Sequence, residues 1–154
     1  MYKRQANALQ NIILPGVYHQ RGPAPELRER AVALVEEMQV DCELELLPAY
    51  LRKDQRFRIA VARAMLLEPR ALLLDNPFSP LDLTASNSFK RFLLNRVRKH
   101  GLLLMLVSYD IKFALQHSDQ IIFTTEDHVY LFNAANDIQS CDVPEIRQFL
   151  DTEI

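Results

Sequence analysis

The spacing of apolar positions changes part-way along the chain, and the change predicts two kinds of structure. From Glu26 to Met38, Leu27, Ala31, Leu34, Val35 and Met38 recur at intervals of three and four with Arg and Glu between them, which predicts an amphipathic helix. Pro23 and Pro25 open that stretch. Gln55 to Leu67 repeats the helical spacing through Ile59, Ala62, Met65 and Leu66, and Pro69 stands where that helix should stop. Asn11 to Gly22, which holds Pro15, Gly16 and Gly22, reads as a short turn-rich segment, and Pro48 closes a second short segment.

Beyond Pro69 the pattern is different. Ala71 to Leu74 and Leu102 to Val107 are unbroken apolar runs, the pattern expected of strands buried on both faces of a parallel sheet. Between them Ala85 to His100 reads as a helix, with Phe89, Phe92, Leu93 and Val97 on one side and Gly101 at its end. Strand, helix and strand make a βαβ unit, for which a right-handed crossover is expected. A further helix near Ile111 to His117 is followed by two predicted strands, Gln120 to Thr125 and His128 to Phe132, with Glu126-Asp127 as the turn. A last helix is predicted over Val143 to Leu150, and no internal repeat or low-complexity tract is present.

Composition narrows the chemistry. A length of 154 residues with 49% apolar and 25% charged side chains predicts one globular domain or part of a larger one. The formal net charge of -2 gives no sequence-wide attraction to nucleic acid or anionic lipid, so neither is expected as the main partner. Cys42 and Cys141 lie far apart without CxxC spacing and form no zinc set with His19, His100, His117 and His128, so free thiols in a reducing compartment are expected. No run is long enough to span a membrane and the N-terminus has no apolar signal core, which predicts a cytosolic, soluble chain without direct membrane insertion. Only three glycines occur, Gly16, Gly22 and Gly101, and none precedes Lys-Ser or Lys-Thr as a phosphate-cradling loop requires.

In an open α/β sheet ligands gather beyond the carboxyl ends of the strands, here Asp75-Asn76 and Ser108-Tyr109-Asp110. An acid in that place suits Mg²⁺ held against phosphates, although a lone Asp more often just closes a strand. The run around it settles the choice: Leu51 to Asp82, LRKDQRFRIAVARAMLLEPRALLLDNPFSPLD, aligns without a gap on the signature motif, helix, Walker B strand and D-loop of the ABC transporter ATPases, and it resembles that family closely. VSYD at Val107 to Asp110 resembles the switch region usually written VTHD, and NIILP from Asn11 resembles the opening of the family's helical subdomain.

The resemblance implies an α/β fold, a partial P-loop NTPase (RecA-like) parallel sheet with an α-helical subdomain, lacking the N-terminal strands, the P-loop and the Q-loop. Residues 6–68 would be the helical subdomain, 69–134 the second half of the RecA-like core, and 135–154 a C-terminal tail helix. It implies nucleotide contacts from Leu51, Arg52, Lys53, Asp54 and Gln55 at the signature position and from Ser79 and Asp82 in the D-loop. Asp75 would hold Mg²⁺ through water, Asn76 stands at the catalytic Glu position and Tyr109 at the switch His position. The implied cofactors are ATP and Mg²⁺. The implied partners are a transmembrane permease and a second ATPase subunit, with a cytoplasmic location peripheral to the inner membrane. The closing CDVPEIRQFL looks like the tail of ATPases that serve phospholipid transport in the bacterial envelope, whereas Met1 to Gln5 do not continue the family's pattern.

The departures from the family predict lost activity. The amide of Asn76 has negligible basicity, and Tyr109 offers a phenol with a pKa of roughly 10 where an imidazole would titrate near neutrality. Arg52, Lys53 and Asp54 replace Ser-Gly-Gly at a helix N-terminus that would close over a γ-phosphate; they add side-chain bulk and a carboxylate, which Arg52 and Lys53 could offset. A simpler reading makes Arg52, Lys53, Arg56 and Arg58 a solvated helix face. A non-catalytic module docking on a permease is the alternative function. Without the leading strands the sheet would expose its edges and faces, so aggregation or oligomerisation is expected unless a partner fills the gap.

Overall fold

The computed structural model describes residues 5–153, so all of the Met1 to Gln5 run but Gln5 lies outside the described residues. The chain divides into two compact units, residues 1–107 and 108–154, each with its own apolar cluster.

The first unit opens with a helix, α1 (Ala8–Tyr18), where the turn-forming residues predicted none. Asn7 and Gln10 form a reciprocal capping box, with the Gln10 amide donating to Asn7 Oδ1 at 2.8 Å and the Asn7 amide donating to Gln10 Oε1 at 3.0 Å. Burial of Ala8, Leu9 and Ile12 then holds the helix through Pro15. Gly16 is needed for contact and not for a turn, because a Cβ there would stand 2.8 Å from Leu27 Cδ2 and 3.0 Å from Leu66 Cδ2. Helices α2 (Ala24–Glu37) and α3 (Lys53–Met65) pack with α1 around Ile12, Leu27, Ala31, Ile59 and Leu66. A single 3₁₀ turn, Pro48–Tyr50, leads into α3.

Strand β1 (Ala71–Asp75) pairs in parallel with β2 (Leu103–Val107), from Ala71 opposite Leu103 to Asp75 opposite Val107. Helix α4 (Leu83–His100) connects them and ends on Gly101 at φ 62, a left-handed cap that costs glycine no Cβ clash. Leu72, Leu74, Leu104 and Leu106 face the core with Phe89 and Leu93. The expected burial on both faces does not hold: Leu73 and Leu103 are each 70% exposed, with Met105 and Val107 beside them also exposed. The runs are unbroken because both faces are apolar, yet the described residues cover only one.

The second unit holds α5 (Ile111–His117), the antiparallel pair β3 (Ile121–Thr124) and β4 (Val129–Phe132), α6 (Ala135–Gln139) and α7 (Pro144–Glu153). Five residues of α6 were not predicted; Ile138 is their one buried side chain, too little to mark a period. Ile121, Ile138, Ile146 and Leu150 form the centre of this unit. Among the described residues no helix is long and apolar enough to cross a membrane.

Candidate nucleotide-facing segments

The segment from Leu51 to Gln55 is divided between core and solvent. Leu51 and Gln55 are buried, while Arg52 and Lys53 are exposed. Gln55 is fully engaged: its Oε1 accepts from the Arg52 amide at 2.9 Å and its Nε2 donates to the Asp41 carbonyl. It therefore closes the first turn of α3 and ties down the preceding loop. Arg52 and Lys53, by contrast, are exposed at the helix end, Arg52 with its Nε on Asp54.

Asp54 does not project as a bare anion. Arg58, one turn on, donates from Nη2 to Asp54 Oδ2 at 2.6 Å, and Arg52 Nε reaches Asp54 Oδ1 at 3.2 Å. Burial opposes ionisation of Asp54, but the hydrogen bonds from Arg58 and Arg52 and their charges outweigh it and hold the carboxyl below its usual range. Arg58 is itself buried and donates from Nη1 to the Gln39 carbonyl at 3.0 Å, fastening α3 to the C-terminal end of α2. This corrects the reading of Arg52, Lys53, Arg56 and Arg58 as one solvated face, because Arg58 is a core cation. The i, i+4 spacing of Asp54 and Arg58 was the signal for this pair. Cys42 lies in the same neighbourhood, and burial pushes its thiol up, with the Arg58 charge partly opposing.

Asp75 ends β1 exposed, one carboxylate at the carboxyl end of the parallel pair. Asn76 follows with φ 45, in the left-handed region, and its amide donates to the Val107 carbonyl at 2.8 Å. Of the nonglycine residues Asn tolerates that backbone best, so its identity has a conformational as well as a chemical meaning. Ser79 is exposed in the turn that follows, its amide donating to the Asn76 carbonyl at 3.3 Å. Asp82 caps α4, accepting from the Ala85 amide at 2.8 Å. In the second unit Tyr109 is exposed, and Asp110 caps α5 by accepting from the Phe113 amide at 3.0 Å.

These residues do not complete a site for Mg²⁺ and nucleotide by themselves. Mg²⁺ is usually held by one or two carboxylates together with substrate phosphates. Among the described residues no three His, Cys, Asp or Glu side chains are placed to hold a metal, and no phosphate-cradling glycine loop occurs in the sequence. Asp75 fits as one oxygen ligand to an ion whose phosphates other groups would hold.

No family model matches the chain. It is 35% identical over 118 residues to a sulfate/thiosulfate import ATP-binding protein of Mesorhizobium japonicum, an overlap of 77% of this chain and 34% of that protein. It is 28% identical over 145 residues to a probable amino-acid ABC transporter ATP-binding protein of Haemophilus influenzae, covering 94% of this chain and 56% of that one. The chain thus spans between a third and somewhat over half the length of these relatives. Among solved structures, a dimeric ATP-binding cassette in a post-hydrolysis state with ADP and phosphate superposes with a TM-score of 0.77 at 25% identity, over 86% of this chain and 58% of that one. By sequence and by fold, this chain is a homologue of the ATP-binding subunits of ABC transporters and carries part of their P-loop NTPase fold.

Proposed function

We propose that this chain is a degenerate portion of a transporter's ATP-binding cassette that keeps the scaffold around the nucleotide and has lost the groups that hydrolyse it. One observation carries the reading. The run from Leu51 to Asp82 is laid out in the order the resemblance requires, with the signature residues opening α3, Asp75-Asn76 ending β1 and Asp82 capping α4. In this reading residues 6–68 are the signature-bearing subdomain, 69–134 the core half and 135–154 the tail. Arg52 and Lys53 would meet a phosphate held by a second cassette, and Ser79 and Asp82 would line the D-loop. A transmembrane permease would be the other partner, placing the chain at the cytoplasmic side of a membrane.

Asn76 has no base to offer an attacking water and Tyr109 no imidazole, so hydrolysis by this route is lost. The relatives named above are described as serving sulfate, thiosulfate and amino-acid transport. A phospholipid cargo rests on the CDVPEIRQFL tail alone. Titrating the 154-residue chain with Mg-ATP by calorimetry tests the proposal: no binding at micromolar nucleotide is expected, and micromolar affinity would overturn it. The variant Asn76→Glu should gain no turnover, since the phosphate-holding loop is absent from the sequence. An in-frame GxxxxGK[ST] in the genomic sequence upstream of Met1 would favour the cassette over a non-catalytic module that docks on a permease.

A further inference from the structure

Helix α4 turns one stripe of side chains towards a cleft in the first unit. Ser88, Arg91, Phe92 and Asn95 share a helix face by their spacing and line a cavity of about 230 Å³. Its other wall is Glu37, the last residue of α2, with Gln39 just beyond it. Ser88 and Phe92 are buried and form the base, whereas Glu37, Gln39 and Arg91 are exposed around it.

The charges around the cleft do not balance. Glu37 accepts from Asn95 Nδ2 at 3.0 Å and from Arg96 Nη2, so its carboxylate is already neutralised within the protein. The negative end of the α2 dipole falls at the Met38 and Gln39 carbonyls, and these accept from the buried guanidinium of Arg58. Both features that would repel an anion are thus answered. Arg91 is the surplus charge: it forms no ion pair among the described residues. Arg98, Lys99 and His100 stand in the last turn of α4, where they offset that helix's dipole, but Arg91 in mid-helix has no such role. Arg98 follows Arg91 by seven residues, so it stands two turns on along the same side, about 10 Å away along the axis. It too is exposed and forms no ion pair among the described residues.

We infer that this cleft anchors an acidic side chain of an extended segment from a partner protein, with its carboxylate on Arg91 and a second carboxylate on Arg98. A guanidinium binds carboxylate through paired hydrogen bonds, and the Phe92 ring at the base offers an apolar surface to the methylenes that carry it. A glutamate has both parts, which a bare inorganic anion lacks. The spacing selects the segment: an extended chain advances about 3.3 Å per residue, so acids three residues apart match the interval from Arg91 to Arg98. The contact needs no nucleotide and uses none of Arg52, Lys53, Asp75, Asn76 or Tyr109.

Nuclear magnetic resonance titration of the whole chain tests this with three probes. These are a hexapeptide with two glutamates three residues apart, its isomer with the glutamates adjacent, and succinate as a free carboxylate. The first peptide is expected to shift the side-chain amide signals of Gln39 and Asn95 and to bind about threefold or more tighter than the isomer, the worth of one exposed ion pair. R91Q should weaken it about tenfold, the range for losing a charge-assisted hydrogen bond. R21Q removes the same charge beside the other end of α2 and should leave binding unchanged. Both positions are exposed, and circular dichroism checks that the variants stay folded. Should R91Q not fold, the three probes on the unmodified chain still decide. Equal weakening by R91Q and R21Q overturns the inference, because it means attraction to the whole surface. Equal binding of the isomer or of succinate overturns it too, as does the absence of any shift at about 10 mM peptide.

Discussion

Asn76 sits at φ 45 with its amide committed to the Val107 carbonyl, so a change there acts on the backbone before it acts on any chemistry. Asn76→Gly should leave the melting temperature unchanged or raise it slightly, whereas Asn76→Glu should cost about 1 kcal/mol, the usual cost of a left-handed backbone in a residue that does not favour it. Urea denaturation of the two variants measures this, and equal stabilities would show that the backbone does not decide. Asp54 and Arg58 form the other informative pair. Arg58→Ala should cost about 3 kcal/mol, the range for breaking a buried ion pair. The folded-state pKa of Asp54 is depressed, so its contribution is present above the unfolded value near 3.9 and is lost as pH falls through the lower folded value. The stability gap between the unmodified chain and Asp54→Asn should therefore narrow on acidification below about pH 4. A gap that stays constant down to pH 2 would contradict that assignment. The identities at positions 51–55, 75, 76, 79, 82 and 109 were legible as a motif, but their exposures were not. Gln55 and Arg58 look as polar as Lys53 in sequence, and only the fold shows that the loop after α2 supplies the Asp41 and Gln39 carbonyls that bury them.

Among the elements, the helices with a clear three-and-four spacing and the four strands were readable, because each buries one regular stripe or run. The first helix was missed because Pro15 and Gly16 signal a turn, while the capping box of Asn7 and Gln10, which opens four residues before Asn11, was the stronger local instruction. Asn7→Ala removes that cap and should cost about 1 kcal/mol, with loss of helical ellipticity at the N-terminal end. Gly16→Val should cost more, on the order of 1–3 kcal/mol, because the added carbons meet Leu27 and Leu66. An unchanged melting temperature for Gly16→Val would mean that α1 shifts away from α2 and α3 at no cost. The short α6 has a single buried residue, Ile138, and no pattern reading of five residues could have separated it from a turn.

At the scale of the molecule, the unbroken apolar runs predicted cover on both faces of the sheet whereas the resemblance implied exposed faces, and the side bearing Leu73, Leu103, Met105 and Val107 is exposed. Which side of a uniformly apolar strand is covered depends on neighbours, not on the strand. Leu73→Thr places a β-branched polar residue on an exposed strand face and should change stability by under about 0.5 kcal/mol while lowering binding of an apolar dye. Unaltered dye fluorescence would show that this face is covered in solution. The hydrogen bond from Asn76 to Val107 joins the end of β1 to the last residue of the first unit, just before the chain passes into the second. That one amide proton is therefore a gauge of the end of β2. In deuterium oxide its rate of isotope exchange would follow every fraying of the β2 terminus.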